Sequence, residues 1–305
     1  MAMSRRVWTI FALLSLAFLC PSPKGFAAEP LTLVVMDPLA GPLACDCVEG
    51  YAQRKYEVLG KYLEKKLGRK VNVAWAESLD LALKEKTNGR VDVIVGKSSV
   101  VSTQAKQLKI GIEPVARLSG KDGAIDQWGL LVVRADDKAQ SVNDLKGYRI
   151  FFGPAEAEEK SEAVMKLMAA NGISVPSSLE VYGACIEATK ELMKLPADVK
   201  AAAVISSYAQ PLLEGCKAIK KGDLRAIARS ESVPFVTAFV ASTISKTEKE
   251  KITAALLEVG DNADLLIALE TLDGFVSLDE AAKKDAAAVQ KRASEPASSP
   301  VSKKN

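Results

Sequence analysis

The sequence predicts an α/β fold of two lobes, because the same β-α-β-α-β pattern occurs twice. The first copy alternates short apolar strands with helices in the order Leu31–Met36, Tyr56–Leu67, Val71–Trp75, Leu79–Thr87 and Val91–Val95. The second copy follows in the same order, as Tyr148–Phe152, Lys160–Ala170, Leu179–Tyr182, Glu187–Lys194 and Ala201–Ile205. Strands that alternate with helices of this length form parallel sheets. Two such units predict two lobes with a cleft suited to a small ligand.

The chain is expected to pass twice between these lobes. The predicted boundaries are residues 31–127 and 236–290 for lobe 1 and residues 134–230 for lobe 2. The connections near 128–134 and 230–236 therefore form a double hinge crossover. Closure of such a hinge around a ligand is a known mode of switching.

The two ends of the chain have the composition of segments outside a folded core. Arg5 and Arg6 precede an apolar run at 7–19, and small residues follow at 25–28, which is the order of a secretory signal peptide. The apolar run is shorter than the roughly 20 residues that span a bilayer. Residues 1–28 are therefore predicted to be a cleaved leader. The segment 293–305 is rich in Ser and Pro and is predicted to be disordered.

Composition limits the classes of function. The net charge of +3 in 305 residues gives no reason to expect nucleic acid as a partner. Histidine is absent, which removes the commonest general base and the commonest metal ligand. No arrangement of a nucleophile with a base is visible, so we expect a protein that is not an enzyme and carries no cofactor. Nothing in the sequence demands more than a monomer.

Four segments resemble those of a known family. They are Ser141–Pro154 with its Asp-Leu-Lys-Gly step, Ala203–Tyr208, Leu224–Phe235 and the Met36-Asp-Pro38 turn. The chain resembles the type 2 periplasmic solute-binding proteins of ABC transporters, in particular the phosphate, phosphite and phosphonate-binding branch. The resemblance implies two α/β lobes that capture a small solute, a membrane permease as partner, and a periplasmic location.

One turn departs from that family's pattern. The phosphonate binders usually follow the proline of the second-lobe strand with a turn rich in Ser, Thr and Gly, which suits an anion at a helix start. Here Pro154 is followed by Ala-Glu-Ala-Glu-Glu-Lys, and Ser161 supplies the nearest hydroxyl. Carboxylates at Glu156, Glu158 and Glu159 would repel a phosphonate. Glutamates in a first helical turn also complement the helix dipole, and this explanation is expected to cover two of the three.

Candidate ligand-binding residues follow from position rather than from residue identity. In parallel α/β sheets, ligands lie beyond the carboxyl ends of the strands. An aromatic side chain near the cleft and another at the hinge are added to that set. The candidates are Asp37, Tyr51, Gly96, Lys97, Ser98, Ser99, Trp128, Gly153, Ala155, Glu156, Ser206, Ser207 and Tyr208.

Four cysteines remain after the predicted leader, and an oxidising compartment favours their pairing. Cys185 and Cys216 fall in the same predicted lobe, so a disulfide between them is expected. Cys45 and Cys47 are too close in sequence to pair without strain. They form either a tight disulfide or, with Met36, a soft-metal or redox site.

Two functions fit these observations. The first is the extracytoplasmic solute-binding component of an ABC transporter, which binds a small, phosphonate-like solute in the cleft between the lobes. The alternative is an exported sensor or an accessory protein of a periplasmic redox system, in which Cys45 and Cys47 supply a soft-metal or redox site.

Overall fold

The computed structural model describes residues 29–44 and 53–294. The predictions that lie outside these residues concern the leader 1–28, Cys45, Cys47, Tyr51 and the tail beyond residue 294. In the described part of the chain, no helix combines the length and apolarity needed to cross a membrane.

The described strands are short and mostly apolar. They are β1 Leu31–Met36, β2 Val71–Trp75, β3 Val93–Lys97, β4 Ile112–Leu118, β5 Asp126–Gln127, β6 Gly129–Arg134, β7 Arg149–Phe152, β8 Glu180–Val181, β9 Ala201–Ser206, β10 Leu224–Arg229, β11 Val233–Pro234, β12 Val236–Ala241 and β13 Phe275–Ser277.

The described helices separate these strands. They are α1 Tyr56–Leu67, α2 Leu79–Leu81, α3 Ser98–Gln107, α4 Glu162–Ala170, α5 Cys185–Lys194, α6 Ala209–Gly215, α7 Lys246–Leu257, α8 Ala263–Ala268 and α9 Leu278–Ser294. A π-helical segment, Ala82–Lys86, continues α2, and short 3-10 turns occur at Gly41–Leu43, Val142–Leu145, Glu158–Lys160 and Glu258–Asp261.

Lobe 1 is built on a six-stranded sheet in the order β13-β4-β12-β3-β1-β2. β1 is parallel to β2 and β3, whereas β12 runs antiparallel to β3 and β4. All of β1 is buried, and its side chains alternate between two apolar cores. One core includes side chains of α1 and α7, and the other includes side chains of α2 and α3. Helices therefore cover both faces of the sheet, as continuous apolar strands require.

Lobe 2 repeats this plan on a five-stranded sheet in the order β10-β6-β9-β7-β8. β7 lies parallel to β8 and β9, and β6 runs antiparallel to β9 and β10. The fully buried strand β9 contributes to one core with α5 and α6 and to another with α4. The predicted α/β class with a double crossover is confirmed. Antiparallel strands make both sheets mixed rather than purely parallel.

The two crossovers meet in a ribbon of their own. β5 and β11 pair antiparallel, with Val233 opposite Gln127 and Pro234 opposite Asp126. This ribbon stands apart from both large sheets. The connections between the lobes are therefore hydrogen-bonded to each other.

Several predicted element boundaries differ from those in the structure. The strand predicted at Val91–Val95 is β3, two residues later, and the carboxylate of Asp92, just before it, accepts a hydrogen bond from Thr32 N at 2.7 Å. The helix predicted over Leu79–Thr87 opens into a π-helical segment, in which Thr87 N donates to Ala82 O. Helix α9 continues to Ser294, so it includes the first two residues of the segment predicted as a tail from residue 293, and the rest of that segment lies outside the described residues.

The hinge ribbon carries a carboxyl group with an altered pKa. Burial raises the pKa of Asp126 to about 6, and repulsion by Asp285 adds to this shift while Arg117 opposes it. Arg117 Nη1 lies 2.8 Å from Asp285 Oδ2 but 3.5 Å from Asp126 Oδ1, so Asp285 holds the closer ion pair.

We expect Asp126→Asn to change the pH dependence of stability. The folded-state pKa exceeds the ordinary value of 3.8, so ionisation of Asp126 destabilises the fold as pH rises from 3.8 through about 6. Relative to wild type, Asp126→Asn should therefore gain about 1 kcal/mol between pH 4 and pH 7, allowing for solvent screening. Urea unfolding at both pH values measures this difference. Asp198→Asn, at an exposed position, is the control. Equal pH profiles for wild type and Asp126→Asn would contradict the prediction.

Candidate functional site

A cavity of about 580 Å³ lies between the two lobes, at the carboxyl ends of strands from both sheets. Lobe 1 contributes Met36, which ends β1, and Lys97, which ends β3. Lobe 2 contributes the turn after β7 and the N-terminal ends of α5 and α6. Most of the remaining wall is apolar: Pro38, Leu43, Ala44, Ala76, Val100, Pro154, Ala157, Ala184, Ile186, Ala209, Leu212 and Leu213. A cavity of this size suits a small molecule.

A buried ion pair joins the lobes beside this cavity. Lys97 Nζ lies 2.5 Å from Glu159 Oε1, and the Glu159 carboxylate is entirely shielded from solvent. The same carboxylate accepts a hydrogen bond from Ser206 Oγ at 2.6 Å. Gln127 Nε2, from the hinge ribbon, lies 3.4 Å from the other carboxylate oxygen. Groups from lobe 1, lobe 2 and the hinge thus converge on Glu159.

Glu159 is held in its ionised form. Burial by itself would raise its pKa, but the positive charge of Lys97 and the hydrogen bonds from Lys97 and Ser206 outweigh that effect. The pKa of Glu159 is therefore below its ordinary value. A buried charge is tolerated when it is paired and hydrogen-bonded in this way.

The backbone around Glu159 is tightly packed. The chain folds back after β7, so that Gly153 N donates to Lys160 O at 3.0 Å. A Cβ atom at Gly129 would lie 1.9 Å from the Glu159 carbonyl oxygen, and one at Gly153 would lie 2.5 Å from Lys160 Cβ. Glycine at these two positions lets the turn that carries Glu159 sit directly against β6 and β7.

Cys185 and Cys216 both line the cavity, and no disulfide joins them. The disulfide predicted between Cys185 and Cys216 is wrong, because both cysteines are free. Cys185 begins α5, and its Sγ lies 3.8 Å from Ser206 Oγ. Cys216 follows the end of α6, and its Sγ lies 3.5 Å from Leu213 O. Each sulfur atom is turned toward a partner in its own part of the lobe.

Tyr208 links lobe 2 to the second crossover. Its ring stacks on Phe235, with ring centroids 5.0 Å apart, and it packs against the apolar cores of both lobes. Burial of the phenol raises the pKa of Tyr208 well above its ordinary value, and the nearby Cys185 and Glu159 add to this shift. Tyr208 also lines the cavity, so it stays a neutral hydrogen-bonding group there.

Asp37 serves the fold rather than the cavity wall. Its fully buried carboxylate accepts hydrogen bonds from Arg54 Nη1 at 2.8 Å and from Tyr56 Oη at 2.6 Å. Burial and the charge of Asp37 raise the pKa of Tyr56 well above its ordinary value. Asp37 follows β1, and its partners Arg54 and Tyr56 lie at the start of α1. These hydrogen bonds therefore hold the two ends of the segment between β1 and α1 together.

The other candidates are spread over several roles. Lys97, Glu156 and Tyr208 line the cavity, and Ser206 lies behind it as a partner of Glu159. Ser99, in lobe 1, makes a hydrogen bond to lobe 2, in which its Oγ accepts from Glu158 N at 3.3 Å.

The remaining candidates lie away from the cavity wall. Gly96 is packed on Met36, Ser98 lines a separate cavity on the lobe 1 side, and Ala155 is exposed. Trp128 and Ser207 bond each other through Trp128 N to Ser207 Oγ, at 3.3 Å, and through Ser207 N to Trp128 O, at 2.9 Å.

The comparisons with known proteins give one family. The family model for the periplasmic phosphonate substrate-binding protein of ABC transporters matches residues 51–283. This chain belongs to that family. The resemblance predicted from four segments of the phosphonate-binding family is thereby confirmed. The search of curated proteins finds no match.

Solved structures of the phosphonate-binding family and of other solute-binding proteins share the fold. A protein of Xanthomonas citri solved with ATP is 16% identical, with a TM-score of 0.64 over 87% of this chain and 98% of that chain. A binding-protein component of an ABC phosphonate transporter from Pseudomonas aeruginosa is 17% identical, with a TM-score of 0.60 over 81% of each chain. PhnD1 from Prochlorococcus marinus, in complex with methylphosphonate, is 11% identical, with a TM-score of 0.57 over 86% of this chain and 99% of that chain.

Sequence reasoning missed Glu159, the buried residue on which both lobes of this phosphonate-binding family member converge. The sequence pattern predicts for Glu159 the same role as for Glu156 and Glu158, namely a charge that repels anions or complements a helix dipole. Instead it belongs to the short Glu158–Lys160 turn, and α4 begins only at Glu162. The departure from the Ser, Thr and Gly-rich turn was the signal that could have identified it. Gln127 was missed because a two-residue hinge strand has no periodicity.

We expect Lys97→Met to destabilise the protein by about 3–5 kcal/mol, because it leaves the Glu159 carboxylate buried without a counter-ion. Replacing both partners, as Lys97→Met with Glu159→Leu, should recover most of the loss, since no buried charge remains. Urea unfolding measures both variants. Lys166→Met, which breaks an exposed pair with Glu162, is the control and should change stability by less than about 1 kcal/mol. A double variant no more stable than Lys97→Met would contradict this account.

Proposed function

We propose that this protein captures a small solute in the cavity between its lobes and delivers it to the permease of an ABC transporter. The observation that supports this most is the position of the cavity. It is lined from both sheets at their strand ends, beside a paired hinge ribbon. Two lobes joined in this way can close around a solute and exclude water.

The solute contacts are proposed for the predicted residues that reach the cavity, namely Lys97, Glu156 and Tyr208. Lys160 is added, because its side chain lines the same wall and its Nζ donates to Gly183 O at 3.2 Å. Apolar side chains from both lobes supply the rest of the contact area, and the polar groups fix the orientation of the solute.

Several features of the proposal come from the family and the sequence together. We propose export through the leader 1–28, capture as a monomer, and lobe boundaries at residues 31–127 with 236–290 and at residues 134–230. The family is a transport component, and we propose that this chain likewise carries out no catalysis. The comparisons give no support to the alternative of a redox accessory protein.

Solute binding should raise the melting temperature and make the protein more compact. A solute present at about 100 times its dissociation constant stabilises the fold by about 2.7 kcal/mol. A thermal-shift screen of small organic solutes identifies the binder, and small-angle scattering then compares the free and bound forms. Mass spectrometry of the native protein, released from its periplasmic source, gives an independent identification.

Ala184→Trp should abolish that shift, because this exposed residue lies on the cavity wall at the start of α5. The control is Ala170→Trp, at the exposed end of α4, which should bind the solute as wild type does. A solute that binds Ala184→Trp and wild type equally would place the site elsewhere, and a broad screen without any shift would contradict solute capture.

A further inference from the structure

A carboxylate of the protein itself occupies the point between the lobes at which several hydrogen-bond donors converge. Donors from three parts of the structure meet at one point: Lys97 Nζ from lobe 1, Ser206 Oγ from lobe 2 and Gln127 Nε2 from the hinge. They surround the carboxylate of Glu159, with its two nearest donors 2.5 and 2.6 Å away. A carboxylate presents negative oxygens to these donors just as a phosphonate or sulfonate would.

A second carboxylate of the protein, that of Glu187, accepts a hydrogen bond at the N-terminal end of α5. The N-terminal end of α5 opens on the cavity, where free backbone amides could hold an anion. Glu187 Oε2 accepts a hydrogen bond from Ala184 N at 3.2 Å instead. At the start of α3, Ser98 N donates to Phe235 O at 2.7 Å, so that amide is also engaged within the protein.

The remaining charge on the cavity wall does not favour an anion. Glu159 neutralises Lys97, which leaves Lys160 as the positive side chain among the described lining residues. Carboxylates at Glu77, Glu156 and Glu187 line the same cavity and outnumber that ammonium three to one. An oxyanion placed here would lose its hydration and meet net negative charge.

Glu159 is also fixed in place. Its side chain is fully buried, and its backbone carbonyl lies where Gly129 offers no Cβ atom. If Glu159 swung away, the buried Lys97 ammonium would lose its counter-ion unless a solute replaced it at the same moment.

We propose that Glu159 determines specificity by filling the oxyanion position of the cleft. The solute that this protein carries is accordingly a small organic molecule without a phosphonate, phosphate or sulfonate group. This inference deepens the proposed function and rests on it for the role of the solute.

The test compares three proteins against three anions. Wild type, Glu159→Ala and the control Glu158→Ala are titrated with methylphosphonate, inorganic phosphate and acetate, by thermal shift and calorimetry. Glu158 is the matched control, because it is the neighbouring glutamate and is half-buried. Glu159→Ala removes a methylene group and the carboxylate, and it leaves Lys97 and Ser206 around a space of about the size of an acetate ion. Glu159→Ser takes its place if the alanine variant does not fold in any of the anions.

Glu159→Ala should gain anion binding, with a rise of about 5 °C in melting temperature at saturating methylphosphonate or acetate. Wild type and Glu158→Ala should shift by less than about 1 °C. Micromolar binding of methylphosphonate or phosphate by wild type would overturn the proposal, and so would the absence of any gain in both Glu159 variants.

These outcomes separate the inference from the proposed function. If wild type binds a phosphonate, solute capture stands and the role of Glu159 falls. If wild type binds no solute of any kind while Glu159→Ala gains anion binding, the occupied oxyanion position stands and solute capture falls.

Discussion

A buried ion pair between Lys97 and Glu159 joins the two lobes and constrains the structure around the cavity. Removing both charges from water costs several kcal/mol for each ion, which their mutual attraction repays only with good geometry and further hydrogen bonds. Ser206 and Gln127 supply those hydrogen bonds from lobe 2 and the hinge. The pair therefore specifies how the lobes face each other, in addition to any stability that it adds.

The local structure around the pair follows from that requirement. The Glu158–Lys160 turn has to bring a carboxylate to β3 of the other lobe, and its backbone lies directly against Gly129 at the start of β6. Glycine at 129 and 153 makes this approach sterically possible. The paired strands β5 and β11 hydrogen-bond the two connections between the lobes to each other. The lobes are thus connected both covalently and electrostatically on the same side of the cavity.

The sequence predicts the architecture better than the chemistry of the site. Alternation of apolar strands with helices is a local pattern, and it identified both sheets and both crossovers. The strand-end rule placed Lys97 and Ser206 in the cleft, but it could not show that they bind a side chain of the same protein. Glu159 lies 62 residues from Lys97, and no periodicity encodes that contact. The number of cysteines likewise suggests a bond between Cys185 and Cys216, but a count carries no distance, and both are free in the structure.

The cluster of Asp37, Arg54 and Tyr56 has a consequence for how this protein can diversify. Because these side chains fasten both ends of the segment between β1 and α1, changes in the intervening residues place little strain on the sheet. Leu43 and Ala44, within that segment, reach the cavity wall. Mutations of these two residues can therefore alter which molecules bind in the cavity without changing the sheet of lobe 1.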